Sequence, residues 1–286
     1  MDTNLELVKI VQSEDKSKKY CFKVKDSCKF FEAVCFFNED KPYECRICIS
    51  TQIGCTVGCE FCMTGKIGFT RNLTCDEMLD CVGYIVHDNS SDEFKLVNIL
   101  LMGMGEPLLN YKQIVQFYHK ANSTYHPEKI CLSTSGIPSK IIDLAKSDTD
   151  FELFISLHAA TNPKRSSIMP INKKYPIEEV LRAAEVFFLK KKRKIVISYM
   201  LIDGINDSLE DAENLVKIIS PEIFEIQILM YNDNNIKGFR RPNIAKAEKM
   251  QKFFEENGFN VDINVSKGTD IKGACGQLAG EIEEKK

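Results

Sequence analysis

The sequence predicts an α/β fold: an open barrel of six βα units, (β/α)6, a partial form of the eight-unit TIM barrel, preceded by a small β extension. Three observations carry this expectation. Strand-like apolar runs alternate with helical patterns from residue 62 onward. The length of 286 residues suits one large barrel. Ahead of residue 45, short apolar runs are separated by polar turns. Strand and helix in strict alternation make a parallel sheet with right-handed crossovers, and in such sheets function sits at the strand C-termini.

Taken in order, residues 7–11, 19–24 and 31–37 read as short strands divided by Ser13-Glu14-Asp15-Lys16 and by Asp26-Ser27. They form the extension, assigned to residues 1–45. The barrel core, residues 46–280, carries strands at 96–102, 129–134, 151–157, 194–201, 223–230 and 259–265. Helices fall between them at 74–87, 111–121, 138–146, 176–190, 208–219 and 244–257, several opened by Asp, Ser, Asn or Pro. A charged tail, residues 281–286, frays at the end.

With 38 basic and 41 acidic residues the net charge is -3, so the chain lacks the overall basic bias of a protein that grips nucleic acid through its phosphates. Any RNA contact must be local. The run Lys190-Lys191-Lys192-Arg193-Lys194 is a candidate patch, although at a helix end it also suits dipole capping and solvent. The N-terminus has no basic region followed by an apolar run, and no apolar stretch approaches the roughly 18 residues of a membrane helix. The 12 cysteines therefore read as reduced and cytoplasmic.

Three of those cysteines, Cys55, Cys59 and Cys62, have the spacing C-x3-C-x2-C. Thiolates suit zinc and iron-sulfur clusters, and a [4Fe-4S] cube held by three of them leaves one iron open to a non-protein ligand. A structural zinc site needs a fourth partner. The nearest candidates, Cys48 and Cys75, lack the spacing of a second C-x2-C pair.

This run resembles the RlmN/Cfr family of radical S-adenosylmethionine (SAM) methyltransferases when joined to four further segments: Met102-Gly103-Met104-Gly105-Glu106-Pro107-Leu108, Leu132-Ser133-Thr134-Ser135-Gly136, Ser156-Leu157-His158 and Ala274-Cys275-Gly276-Gln277-Leu278. The resemblance spans residues 5–280. It implies a radical SAM barrel in which Cys55, Cys59 and Cys62 hold a [4Fe-4S] cluster whose open iron chelates SAM. Gly105 and Glu106 match the position that meets the SAM amino group. Ser133, Ser156, Leu157, His158 and Asn232 match positions that line its ribose, carboxylate or adenine. Cys275 and Cys48 match a catalytic pair, the first carrying a methyl group and the second forming a disulfide with it to release product. Glu32 matches a general base. Taken alone, Glu32 would be an outward-facing strand carboxylate, and His158 is equally compatible with a core histidine.

The expected activity is methylation of C2 of adenosine in RNA, 23S ribosomal RNA or transfer RNA, with flavodoxin or ferredoxin as electron donor and the enzyme acting as a monomer. Glu106-Pro107 resembles the C2-methylating branch, whereas the C8 branch typically has alanine after the glutamate. Family members usually carry an N-terminal helical domain before the β extension, and this chain begins almost at the extension. Methylation of a free nucleotide or small heteroaromatic molecule therefore stays open as an alternative, as does methylation at C8 of adenosine.

Overall fold

The computed structural model describes residues 4–25, 29–91 and 94–279; the tail predicted at 281–286 and the turn at Asp26-Ser27 lie outside the described residues. By compactness the chain divides into two units, one of residues 1–56, 63–132 and 267–286, the other of residues 57–62 and 133–266.

The first unit contains, in chain order, β1 (Leu5–Gln12), β2 (Lys18–Val24), β3 (Phe30–Phe37), β4 (Glu44–Cys48), β5 (Gln52–Gly54), α1 (Met63–Lys66), β6 (Phe69–Asn72), α2 (Cys75–Asn89), β7 (Lys95–Leu101), α3 (Tyr111–Tyr125) and most of β8 (Lys129–Thr134). The first four strands form an antiparallel meander, and β4 then pairs in parallel with β7, which pairs in parallel with β8. The extension and the parallel layer thus share one sheet. β3 is buried on both faces from Phe31 to Cys35, which is why its sequence is nearly continuous in apolar residues. Helix α2 opens with a capping box: the Thr74 hydroxyl accepts from the Glu77 amide (3.2 Å), and the Glu77 carboxylate accepts from the Thr74 amide (2.8 Å).

The second unit adds α4 (Pro138–Lys146), β9 (Glu152–Ser156), α5 (Asn162–Ile168), α6 (Ile177–Lys191), β10 (Ile195–Leu201), α7 (Leu209–Val216), β11 (Phe224–Met230), α8 (Ile244–Glu256) and β12 (Val261–Asn264). Strands β9 to β12 lie side by side and parallel, so their C-terminal ends share one edge. The candidate RNA patch is at the other end. Lys191 donates to the carbonyls of Ser147 and Thr149 (2.6 and 2.7 Å), Arg193 pairs with Asp150 (2.8 Å), and Lys194 donates to the Pro221 carbonyl (2.9 Å). Three cations of the run are therefore engaged in tying the end of α6 and the start of β10 to the loops at the N-terminal ends of β9 and β11.

Every predicted strand and helix is present within a few residues, but the expectation omitted β4, the short pair β5 and β6, α1 and α5. Strand β5 leads directly into Cys55, and its antiparallel partner β6 follows the cysteine loop and α1. Gly54 has φ +76°, and a Cβ there would lie 1.8 Å from the Gly68 carbonyl oxygen. Gly54→Ala is expected to lower stability by about 2–4 kcal/mol, combining left-handed strain with overpacking. Urea unfolding of the cluster-free protein checks this, and an unchanged midpoint would refute it.

Candidate active site

Three of the expected catalytic residues belong to the first unit, and the sheet register places two of them together. Val34 on β3 stands opposite Cys48 on β4, so Glu32, two residues along β3, shares a face with Cys48. Glu32 is buried rather than outward-facing. One of its carboxylate oxygens pairs with Lys19 (2.9 Å), and the other accepts from the Ala279 amide (2.9 Å). Lys19 was not among the sequence candidates, because an isolated lysine on a short strand carries no signal of what lies opposite it.

Cys48 is the last residue of β4 and is buried, whereas Cys275 is exposed. The two thiols are close enough to interact electrostatically. Burial, and then the neighbouring Cys275, push the Cys48 thiol far above the usual range, with an amide hydrogen bond from Met102 offsetting part of the rise. Cys48 therefore rests as a protonated thiol, and a base must take its proton before it can act as a nucleophile.

The turn after β7 is packed tightly against the chain that follows β4. A Cβ on Gly103 would lie 2.8 Å from backbone atoms of Ile49 and Ser50, and one on Gly105 (φ +103°) would strike the Gln52 side chain. The Met104 amide donates to the Ser50 hydroxyl (2.9 Å), and the Glu106 amide to the Gln52 side chain (2.8 Å). Glu106 is buried and caps the next turn by accepting from the Leu108 amide (3.0 Å). The glycines let backbone meet backbone here and fix where the carboxylate sits.

In the second unit, the C-terminal strand ends converge on a buried guanidinium. Arg165, fully buried, donates to the carbonyls of Leu157 (3.0 Å), Ser135 (2.5 Å) and Ser156 (3.2 Å), and to the Asn172 side chain (2.9 Å). It fastens the segments that carry Ser133, Ser156 and Leu157, whose two serine hydroxyls lie 3.2 Å apart. His158 follows in a left-handed conformation (φ +60°). Its Nδ1 accepts from the Met200 amide (3.1 Å), and its ring meets Phe61 edge-on. The side chain belongs to the core. Asn232, just past β11 on the same edge, is buried and accepts from Arg241 (3.0 Å).

The loop of Cys55, Cys59 and Cys62 crosses from one unit to the other, Cys55 in the first and the other two in the second. All three are outside any disulfide and half-buried. Cys59 and Cys62 pack against a wall of Phe61, Ile168, Met169, Met200, Ile202 and Tyr231. Among the described residues, no three His, Cys, Asp or Glu side chains are grouped to hold a single metal ion. Thiols at Cys59 and Cys62 set against an apolar wall suit the soft-ligand chemistry of an iron-sulfur cluster.

Residues 49–217 match the radical SAM superfamily model. A probable dual-specificity RNA methyltransferase RlmN of Thermotoga maritima is 39% identical over 276 residues, 95% of this chain and 78% of that protein. The dual-specificity RNA methyltransferase RlmN of Desulfosudis oleivorans is 37% identical over 98% of this chain and 75% of its own length.

The chain belongs to the RlmN family of radical SAM enzymes.

The crystal structure of a radical SAM methyltransferase from Sphaerobacter thermophilus superposes on this RlmN-family chain with a TM-score of 0.93 at 33% identity, covering 98% of this chain and 82% of that one. The expected radical SAM α/β fold is the observed one. The enzyme is a SAM-dependent radical methyltransferase whose cofactors are a [4Fe-4S] cluster and SAM.

Burial, and then the positive charge of Arg165, hold His158 down at about 3, against a partly offsetting hydrogen bond to the Ser198 backbone. Because the folded value is depressed, its contribution to stability is complete above the unfolded value near 6.5 and is lost as pH falls from there through about 3. His158→Asn keeps an acceptor near Nδ1 and tolerates the left-handed backbone. At pH 5 the wild type should lose about 2 kcal/mol more than this variant, relative to pH 7.5, in urea unfolding; equal losses would refute a neutral buried imidazole.

Proposed function

We propose that this enzyme methylates C2 of adenosine in RNA, 23S ribosomal RNA and transfer RNA being the substrates, through a methyl group carried on Cys275. The observation that supports it most is the pairing of an exposed Cys275 with a buried, protonated Cys48 on the face shared with Glu32. Its relatives are named dual-specificity RNA methyltransferases, and Glu106-Pro107 resembles the C2-methylating version of the motif.

Cys55, Cys59 and Cys62 would hold the cluster, and Gly105, Glu106, Ser133, Ser156, Leu157, His158 and Asn232 would surround SAM. His158 then contributes through its backbone and by holding Met200, since its ring is committed to the core. The bound cluster supplies the electron that converts SAM into a hydrogen-abstracting radical.

The exposed Cys275 thiolate takes a methyl from one SAM: the sulfonium carbon-sulfur bond breaks, a thioether forms, and S-adenosylhomocysteine leaves. After this methyl carbon, stripped of one hydrogen, has joined C2, the adduct would pass one electron back to the cluster that Cys55, Cys59 and Cys62 would hold and its C2 proton to a base, leaving Cys275 bound to the RNA through a thioether bridge. Cys48, deprotonated, attacks the Cys275 sulfur. The bond from sulfur to the bridging carbon breaks, its electron pair stays on carbon, and that carbon takes a proton to become the product methyl. The disulfide left behind is reduced by an external thiol before the next turnover. Glu32 is placed to serve as the base, once Lys19 or the Ala279 amide releases an oxygen.

Incubation with SAM, dithionite and either a 23S ribosomal RNA transcript or adenosine monophosphate, followed by digestion and mass spectrometry, tests the substrate. 2-Methyladenosine in RNA is expected, and methylation of the nucleotide but not of RNA, or 8-methyladenosine, would overturn the proposal. Cys275→Ala should lower product formation at least about a thousandfold, as when a covalent nucleophile is removed. Cys48→Ala should accumulate a covalent protein-RNA adduct visible on a denaturing gel, whereas wild-type turnover by both variants would exclude the cysteine relay.

A further inference from the structure

Cys275 lies on residues 265–279, a segment that contains no helix or strand. A reacting carbon must be held within roughly 3–3.5 Å of its partner to react efficiently, so an irregular segment carrying it has to be fixed by discrete bonds. Most of those bonds come from the β extension. The Gly268 amide donates to Asp15 (2.7 Å). Asp270 accepts from the Ser13 hydroxyl (2.5 Å) and the Glu14 amide (3.2 Å). Lys267 donates to the Phe37 carbonyl (2.8 Å) and pairs with Glu39 (3.1 Å). Lys19 reaches the Lys272 carbonyl (3.5 Å), and its partner Glu32 holds the Ala279 amide.

The grip is centred on the turn between β1 and β2. Asp15 uses one carboxylate oxygen to shape that turn, accepting from the Ser17 amide (2.9 Å), and the other to seize Gly268. Ser13 accepts from the Asp15 amide (3.3 Å) while donating to Asp270. The turn is itself anchored, because Tyr20 and Lys18 on β2 bind Asp88 of α2 at 2.7 and 3.0 Å. On the far side of Cys275, the Gly276 carbonyl accepts from the amide of Met63, the residue that follows Cys62 (2.9 Å), and the Leu278 carbonyl accepts from the Thr64 hydroxyl (2.6 Å).

We propose that the β1–β2 turn is a latch that positions Cys275 for methyl transfer, with Asp15 and Asp270 as its positioning residues. The proposal rests on Cys275 carrying the methyl group. Neither carboxylate touches a reacting atom. Each acts by fixing the peptides five to seven residues ahead of the thiol, so that the S-methyl, once loaded, faces the radical and not solvent.

The test uses SAM carrying a trideuterated methyl group with the reconstituted enzyme and dithionite, and reads the fraction of 5'-deoxyadenosine that contains deuterium. Deuterium enters only if the radical takes it from the loaded S-methyl. Asp15→Asn and Asp270→Ala should lower that fraction by about threefold to tenfold, the size expected from losing one hydrogen bond of the latch. Iron content should be unchanged, and amide exchange of residues 267–279 should be faster. Wild-type deuterium fractions in both variants would overturn the latch, whereas absence of deuterium from the wild-type product would instead overturn the role given to Cys275. If a variant fails to hold its iron, Ser13→Ala, which removes a single hydroxyl, decides the question by the same fraction.

Discussion

Strand β4 pairs antiparallel with β3 along one edge and parallel with β7 along the other, and the first unit is organised by that double pairing. The antiparallel side sets Glu32 and Cys48 on one face. The parallel side carries the chain from Ile49 to Gln52 against the glycine-rich turn after β7, where the Ile49 amide donates to Leu100 (2.9 Å) and the Gly103 amide to Ile49 (3.0 Å). A one-residue slip in either ladder would turn Cys48 away from Glu32 or pull the Glu106 carboxylate from its place. The extension is therefore part of the sheet that positions the proposed catalytic residues rather than an appendage to it.

In the second unit Arg165 does comparable work by a different means. A guanidinium has five donors in a fixed plane, and here they bind carbonyls at the C-terminal end of β9 and in the turns just past β8 and β9. Desolvating such a charge is costly unless its donors are satisfied. The carbonyl cage does so, and the retained charge adds to the burial that keeps His158 neutral.

The long βα repeat was legible because its apolar periods exceed a turn of helix or a full strand. β4 was not. Glu-Cys-Arg-Ile-Cys is five residues with a charge at its centre and small thiols where bulky apolar groups usually mark a strand, and its pairing comes from β3 and β7 at distant positions in the sequence. α5 was invisible for a related reason: its buried residues are Arg165 and Ile168, so it has no apolar stripe to read. The cysteine motif and the strand-end segments were recognisable because chemistry demands particular residue types at particular spacings. Lys19 and Arg165 carry no such demand, and their partners are decided only when the chain is folded. Three cations of the basic run after α6 are likewise committed to carbonyls and a carboxylate, partners that only the fold decides.

The contrast between an exposed Cys275 and a sealed Cys48 has a consequence for fidelity. In the proposed cycle both thiols could in principle accept an electrophilic methyl, and a methylated Cys48 would be a dead enzyme, unable to form the releasing disulfide. Burial excludes that error in two ways at once, by denying SAM an approach and by keeping the thiol in its unreactive protonated form. The same seal shields the resolving sulfur from stray oxidants between turnovers. In that cycle the division between carrier and resolver would be written in solvent access, giving two chemically identical side chains separate fates.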